Sequence, residues 1–356
     1  MLHKCSFKHI LYAVVPLLAT LTPVLIHAQA GFLGFGESYH YDNGLNPSVA
    51  ANSGTVVEVH NGTDGAGPLW YKVGHLNGSV PTWSSSYEYD NGYNPSVAMN
   101  ATSGNDTTVV EVHNGSNASG PLYYRVGEVV GDTVVWGSSR QYDDGYKPSV
   151  ALSGNVVVEV HNASPSGGGL WYHIGKVNGT LITWGESHKF DSTGSNPSVG
   201  IQALYDESTH TTNLTVVEVQ NSSTNGRAGR LLTYRVGHST NLTTITWQNS
   251  TAAVYDPEGG WNPKIAYWGP VVFEVHNGST GAGPLWYRVG EFEGSTISWQ
   301  ESHEYDGYGF NPSVTIDPVG YGYADSNNPV IEVHNGGAGL GPEWYHAGTG
   351  QWVLLQ

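Results

Sequence analysis

From residue 35 onward, short runs of β-branched and aromatic residues alternate with clusters of glycine, asparagine and aspartate. In Thr55-Val-Val-Glu-Val-His-Asn61 the side chains alternate, so Glu58 and His60 share one strand face and the valines between them take the other. Leu69 to Val73 alternates in the same way with aromatics, and Val80 to Tyr89 carries a tryptophan. Pro47-Ser-Val-Ala50 reads as a short apolar strand with proline at its start, where no ladder donor is lost. The polar clusters between these runs supply turn residues. No stretch of residues 31–356 shows a helical period.

The same four runs return in the same order along the whole chain, at the spacing of a repeat architecture. Asn-Pro-Ser-Val begins at Asn46, Asn94, Asn196 and Asn311, with variants at Lys147 and Asn262. Glu-Val-His-Asn begins at Glu58, Glu111, Glu159, Glu274 and Glu332, and the variant Glu-Val-Gln-Asn at Glu218. A string like Trp-Tyr-Arg-Val-Gly begins at Trp70, Tyr123, Trp171, Thr233, Trp286 and Trp344. A lone tryptophan follows each one, at Trp83, Trp136, Trp184, Trp247, Trp299 and Trp352.

One repeat is therefore four short antiparallel strands, and six repeats predict an all-β, six-bladed propeller. The repeats run approximately over 35–83, 83–136, 136–184, 184–247, 247–299 and 299–352, within a single domain over 31–356. The segment Phe35-Gly-Glu-Ser-Tyr-His-Tyr41 matches the fourth-strand segments at Trp184 and Trp299, yet it precedes the first Pro-Ser-Val. The N-terminus thus carries a strand that the last repeat lacks, and a ring closed by the two ends uses that overlap. An open stack would instead want polar capping repeats.

The first thirty residues read differently. Lys4, Lys8 and His9 precede a mostly apolar stretch from Ile10 to Ile26, and Ala28-Gln29-Ala30 is a small-x-small cleavage site. This is the pattern of a secretory signal. Pro16 and Pro23 break the stretch, which is short for a bilayer span. A secreted, extracellular protein without a membrane span is expected. The single cysteine, Cys5, lies in that signal, so neither disulfides nor thiolate metal sites are expected beyond it.

Charged residues make up 12% of the chain, and the net charge is −17. So acidic a surface argues against nucleic acid and anionic membranes as partners.

The repeated polar residues are the candidate chemistry, and each also has a structural reading. The Glu-x-His pair is matched in the third strand by Lys72, Arg125, His173, Arg235, Arg288 and His346, which as hairpin neighbours make cross-strand pairs. Either this is a Glu–Arg–His network between blades, or the three converge on a cleft and bind hydroxyls. Trp70, Trp171, Trp286 and Trp344 either pack blades together or form platforms for sugar faces. A Tyr-Asp-x-Gly element recurs around Asp42, Asp90, Asp143, Asp191, Asp256 and Asp306, where Asp caps a turn and Gly takes positive φ. The twelve-residue spacing of a calcium loop is absent, so no cofactor is expected. Asn61, Asn114, Asn162, Asn221 and Asn277 follow the Glu-x-His or Glu-x-Gln pair and head glycosylation sequons, as do Asn77, Asn178, Asn213 and Asn241.

Pro95-Ser-Val, Val109-Val-Glu-Val-His, Leu122-Tyr-Tyr-Arg and Trp136 follow an order that resembles the blades of propeller lectins, chiefly the bacterial and fungal fucose-binding types. The resemblance implies a ring of shallow pockets between adjacent blades, each using aromatic, acidic and basic side chains. The expected ligand-binding residues are Glu58, His60, Trp70, Glu111, His113, Tyr123, Arg125, Glu159, His161, Trp171, Glu274, His276, Trp286, Arg288, Glu332, His334 and Trp344. The sequence lacks nucleophile-elbow, zinc-protease and phosphate-loop signatures. Polar residues repeated sixfold also do not supply the differentiated pair that acid–base chemistry needs. The function expected is therefore a multivalent lectin without enzymatic activity, with glycans or glycoproteins as partners. The alternatives are a structural or coat glycoprotein, and a carbohydrate-active enzyme with its site at one end of the propeller channel, near the atypical fourth and sixth repeats.

Overall fold

A computed structural model describes residues 31–100, 107–165, 167–222, 231–248, 251–278, 280–318 and 327–351. The proposed signal, Trp352 and most of the long loop at Pro318–Asn328 lie outside the described residues. The described residues form strands and turns with no helix.

The strand pairings fall into six antiparallel sheets arranged as a propeller. In the first sheet, residues 45–52 of the strand Tyr39–Asn52 pair with Thr55–Asn61, which pairs with Gly67–Asn77. Val80–Trp83 and residues 87–92 of Tyr87–Met99 complete its outer edge. Tyr87–Met99 then runs on to become the inner strand of the second sheet. In the sixth sheet the outer edge comes from the other end of the chain. Gly31–Phe35 and residues 39–44 pair with Gly341–Gln351, so Gly31 lies opposite Gln351 and Tyr39 opposite Tyr345. The two termini close the ring through one shared sheet.

The second strand of each sheet is buried on both faces. Val57 and Val59 pack towards the second sheet with Val97, Met99 and Val109, and Val56 packs towards the sixth with Ile331 and Val333. Each fully buried valine contributes about 1.5–2 kcal/mol. The marker tryptophans seal the seams further out. Trp83 stacks on Tyr41 at 5.2 Å, Trp136 on Tyr89 at 5.2 Å and Trp299 on Tyr255 at 4.6 Å, in each case on a ring from the preceding sheet. Beneath Trp247 of the fourth sheet, Phe190 of the third takes the tyrosine's place.

Except in the lengthened turn after Asp256, where Gly259 has φ 84°, the glycine of the Tyr-Asp-x-Gly element is not the residue of positive φ. That conformation falls two residues later, on Asn46, Asn94, Lys147, Asn196, Asn262 and Asn311, with φ from 50° to 57°. The glycine is required by space instead. A Cβ on Gly92 would stand 2.4 Å from His113 Cδ2 and 2.7 Å from the Asn114 carbonyl oxygen. The positive-φ residue is held in place by the asparagine that ends the second strand. Asn114 Oδ1 accepts the Lys147 N–H at 2.9 Å, and Asn114 Nδ2 donates to the Gly145 carbonyl at 3.0 Å. The same pair of bonds recurs at Asn61, Asn221, Asn277 and Asn335. These asparagines are therefore staples between sheets. The repeat-registered sequon residues Asn61, Asn114, Asn162, Asn221 and Asn277 are all buried, whereas Asn77, Asn178, Asn213 and Asn241 are exposed.

The six inner strands surround an axial channel. Two cavities along it, of about 60 and 100 Å³, are lined by inner-strand residues of all six sheets, and both are smaller than the roughly 300–1,000 Å³ of ordinary ligand pockets. Five serine links join neighbouring inner strands around it. Val97 donates its N–H to Ser48 Oγ, Val150 to Ser96, Val199 to Ser149, Ile265 to Ser198 and Val49 to Ser313. At the sixth position stands Lys264, whose ammonium burial pulls down to about 8, with Lys147 adding repulsion. Lys264→Ser supplies the sixth acceptor and removes a desolvated cation, so it should raise the unfolding free energy by about 1 kcal/mol. Urea denaturation at pH 7 checks this, and a lowered midpoint would count against it.

Candidate functional site

The registers bring the predicted residues together sheet by sheet. Glu58 lies opposite Lys72 and His60 opposite Trp70, and the same pairs recur as Glu111–Arg125, Glu159–His173, Glu274–Arg288 and Glu332–His346. The basic residue, however, turns its charge to the preceding sheet rather than to the glutamate across the strand. Lys72 bonds Asp42 at 3.0 Å, Arg125 bonds Asp90 at 2.7 Å, His173 bonds Asp143 at 2.7 Å and Arg235 bonds Asp191 at 2.6 Å. Arg288–Asp256 and His346–Asp306 complete the set at 2.9 and 3.0 Å. Each of these aspartates keeps its other oxygen for the turn, as Asp90 Oδ1 does for the Asn91 N–H.

The glutamates turn to their own histidines. Glu111 accepts a hydrogen bond from His113 Nδ1 at 3.0 Å, and the bond recurs at His60, His161, His276 and His334. Burial pushes the His113 imidazole down, but Glu111 and then Asp90 outweigh it and hold its pKa above the ordinary value. All five glutamates are 0% exposed and their histidines at most 2%. The Glu-x-His pairs therefore lie inside the seams, while Trp70, Tyr123, Trp171, Trp286 and Trp344 stay half-exposed. The same pairing leaves Arg125 and Arg288 tied to aspartates and half-buried.

At the seam between the fourth and fifth sheets, the half-exposed positions open onto a groove of about 600 Å³. Its lining includes Trp286, Trp299, Arg288, His276, Asp256 and the carboxylates Glu258 and Glu301. The local sequence explains the opening. In the first sheets the turn is short, as in Asp42-Asn-Gly44, but here it is Asp256-Pro-Glu-Gly-Gly260. The added residues displace the turn while Asp256 Oδ1 still accepts the N–H groups of Glu258 and Gly259 at 3.0 and 3.2 Å. Arg288 is fixed from two sides, its Nε donating to Asp256 at 2.9 Å and its Nη1 to the Gln300 carbonyl at 3.1 Å. Glu258 and Glu301 are exposed and come from different sheets.

Of the residues predicted from sequence, the groove gathers His276, Trp286 and Arg288, with Glu274 buried behind His276. Glu258, Trp299 and Glu301 were not among them. The signal for Glu258 was the longer Asp-to-Gly spacing in the fifth repeat, and Glu301 sits in the segment used only to align fourth strands.

No protein-family model matches this sequence, and no curated protein matches it. Solved structures do. A neuraminidase-like protein from A/bat/Guatemala superposes with a TM-score of 0.51 at 8% identity, over 89% of this chain and 93% of that one. A Trypanosoma rangeli sialidase in complex with the inhibitor DANA gives 0.47 at 10% identity, and the chain spans 59% of that protein's length while 90% of this chain is covered. A polysaccharide lyase, an ulvan lyase, gives 0.39 at 9% identity over 85% of this chain and 79% of that one. The first of these superpositions shows an all-β propeller fold of the neuraminidase-like kind. Two sequence expectations are thereby corrected. The fold matches a neuraminidase-like protein rather than a fucose-binding lectin, so the reading as a multivalent lectin is set aside, and with it the exclusion of enzymatic activity.

Proposed function

We propose that this chain is a carbohydrate-active propeller enzyme that hydrolyses a neutral glycan held in the groove between the fourth and fifth sheets. The observation that carries the reading is what lines that groove: two indoles, one fixed guanidinium and two solvent-facing carboxylates from different sheets. The Trp286 indole face suits the apolar face of a sugar ring, while Trp299, stacked on Tyr255, walls the groove. Arg288, immobilised by Asp256 and the Gln300 carbonyl, offers hydroxyl groups a rigid donor set. Glu258 and Glu301 supply the pair of carboxyl groups that glycoside hydrolysis uses. One protonates the glycosidic oxygen as it leaves, and the other takes a proton from the water whose oxygen bonds to the anomeric carbon.

The substrate class follows from charge. Asp256, Glu258 and Glu301 face a single guanidinium in a chain of net charge −17. Acidic sugars are repelled from such a site, and neutral ones are not.

The test is release of reducing ends from a panel of neutral and acidic oligosaccharides, followed by mass spectrometry. Glu258→Gln and Glu301→Gln should each lower kcat by about 100-fold, the scale of a lost general acid or base. Trp286→Ala should raise KM while leaving kcat near its starting value, as loss of a stacking platform does. Release that is untouched by all three substitutions, or that is confined to acidic glycans, would overturn the proposal.

A further inference from the structure

One buried position in the sixth repeat breaks the pattern of the other five. Immediately before the third-strand aromatic, the first five repeats carry Leu69, Leu122, Leu170, Leu232 and Leu285, each 0% exposed. The sixth carries Glu343, also 0% exposed. The leucines pack beside the histidine of the following sheet. Leu285 Cδ1 and His334 Cδ2, for example, both crowd the space above Gly309. Glu343 and His60 crowd Gly44 in the same way. The ring-closing seam therefore puts a second carboxyl group where the other seams put a leucine.

No hydrogen bond of good geometry reaches either Glu343 oxygen or Glu58 Oε1, and the one neutral donor beside both carboxyl groups is the buried Tyr41 hydroxyl. His60 Nδ1 lies 3.4 Å from Glu343 Oε2 but donates its hydrogen bond to Glu58 Oε2 at 3.0 Å. An unpaired buried carboxylate costs several kcal/mol. Something must offset this, or leucine would serve better.

We infer that Glu58, His60 and Glu343 form a binding site for a divalent transition-metal ion of the zinc type, which clamps the last sheet of the ring to the first. One ligand atom from each residue lies within 4.8 Å of the others, and all three residues are buried. With metal–ligand bonds of about 2.1 Å, a tetrahedral site has edges of about 3.4 Å, the separation already present between His60 Nδ1 and Glu343 Oε2. An imidazole nitrogen with two carboxylate oxygens suits zinc and its neighbours better than calcium or magnesium, which take oxygen ligands in larger number. Glu58 and His60 project from one face of Thr55–Asn61, and Glu343 comes from Gly341–Gln351, so the ion would join strands that nearly the whole length of the chain separates. Its binding free energy would then act on ring closure.

The natural repeats supply the test variant. Glu343→Leu restores the residue that five repeats carry, so it is expected to fold. Untagged full chain and variant are stripped with dipicolinate, reloaded with ZnCl2, desalted, and compared by elemental analysis and thermal melting. The parent should retain about one zinc more per chain than the variant, and its melting temperature should rise on loading while the variant's does not. The comparison by difference removes any zinc held at Asp306, His334 and His346, the second cluster of this kind. Equal zinc contents and equal thermal shifts would overturn the inference. So would a parent that binds no zinc and melts below the leucine variant in every buffer, since Glu343 would then be only a buried neutral acid. If Glu343→Leu fails to fold, Glu343→Gln keeps the side-chain volume and should show the same loss of zinc.

Discussion

Replacing Asp191 by alanine is expected to lower the unfolding free energy by about 3 kcal/mol, the scale of breaking a buried ion pair from one side. Asp191 and Arg235 expose 7% and 5% of their side chains and meet at 2.6 Å. Gln220 donates to the same Asp191 oxygen at 2.9 Å. Burial pushes the Asp191 carboxyl up, but the Thr193 N–H, Gln220 and Arg235 outweigh it and hold it at about 2. Without the carboxylate, Arg235 cannot shed its proton. Its nearest relief is Glu218, opposite it in register. Burial drives the Glu218 carboxyl well above its usual range, Arg235 opposes, and Asp191 adds to the rise. Removing Asp191 therefore lets Glu218 ionise and limits the damage. Asp191→Ala combined with Glu218→Gln should lose more than the two single changes together. Asp306→Ala should cost less than Asp191→Ala, because its partner His346 can deprotonate. Guanidinium denaturation at pH 7 ranks the four variants against the parent. Equal midpoints for Asp191→Ala and parent would remove the argument.

The same pairs set the acid limit of the fold. Asp143 and Asp191 both sit at about 2, Asp143 because His173, the Asp144 N–H and Ser187 together outweigh burial. Burial also pushes Asp42, Asp90 and Asp306 up, and hydrogen bonds and nearby cations bring them below the ordinary value. A depressed carboxyl pKa contributes stability that is complete above the unfolded value near 4 and is lost as pH falls through the folded value. For Asp191 that amounts to about 2 kcal/mol. Unfolding in acid should therefore be steep between about pH 4 and pH 2. Asp191→Ala should flatten the slope.

What the sequence made legible is what repetition and alternation encode. Period-two runs between turn clusters name the strands, and the registers Glu58–Lys72 and His60–Trp70 follow from hairpin pairing. The stray fourth-strand segment before Asn46 announces the closure that Gly31 and Gln351 make. Contacts between sheets are less legible, because their partners come from different repeats. Lys72 was expected to meet Glu58, across its own hairpin, but the charge it meets is Asp42, on a neighbouring sheet. Gly92 was read as a turn glycine, when the nearness of His113 is what excludes a side chain there. The candidate sites were harder still. Sixfold identity drew attention to residues that pack, whereas Glu258 and Glu343 matter because they break the repeat, and Glu301 recurs only at Glu37 and Glu186.

A chain lacking residues 31–44 is expected to lose cooperative folding altogether, and this is the largest effect the structure implies. The segment supplies the whole outer edge of the sixth sheet. Phe32 packs at 4.8 Å from Phe273 and 5.1 Å from Tyr287, and Phe35 at 4.8 Å from Tyr305. Removing two such side chains costs about 3 kcal/mol each. Lys72 would stay buried without Asp42, for about 3 kcal/mol more. Asn335 would lose the Gly44 carbonyl, and Trp83 its stacking partner Tyr41. The sum approaches the 5–15 kcal/mol that holds an ordinary domain together. In a closed ring the loss strikes both the first and the sixth sheets, so the damage is not confined to one end as it would be in an open stack. Far-UV circular dichroism during thermal melting reads the outcome, and a sharp transition at the parent temperature would show that the ring does not depend on this closure. The segment's place in the sheet, rather than in the chain, is what should count. Gly31 lies directly opposite Gln351, so residues 31–44 grafted beyond residue 356 through a short Gly-Ser linker can reach the same edge. That rearranged chain gives the sixth repeat its own fourth strand, as the other repeats have, and it should regain a sharp transition that the truncated chain lacks.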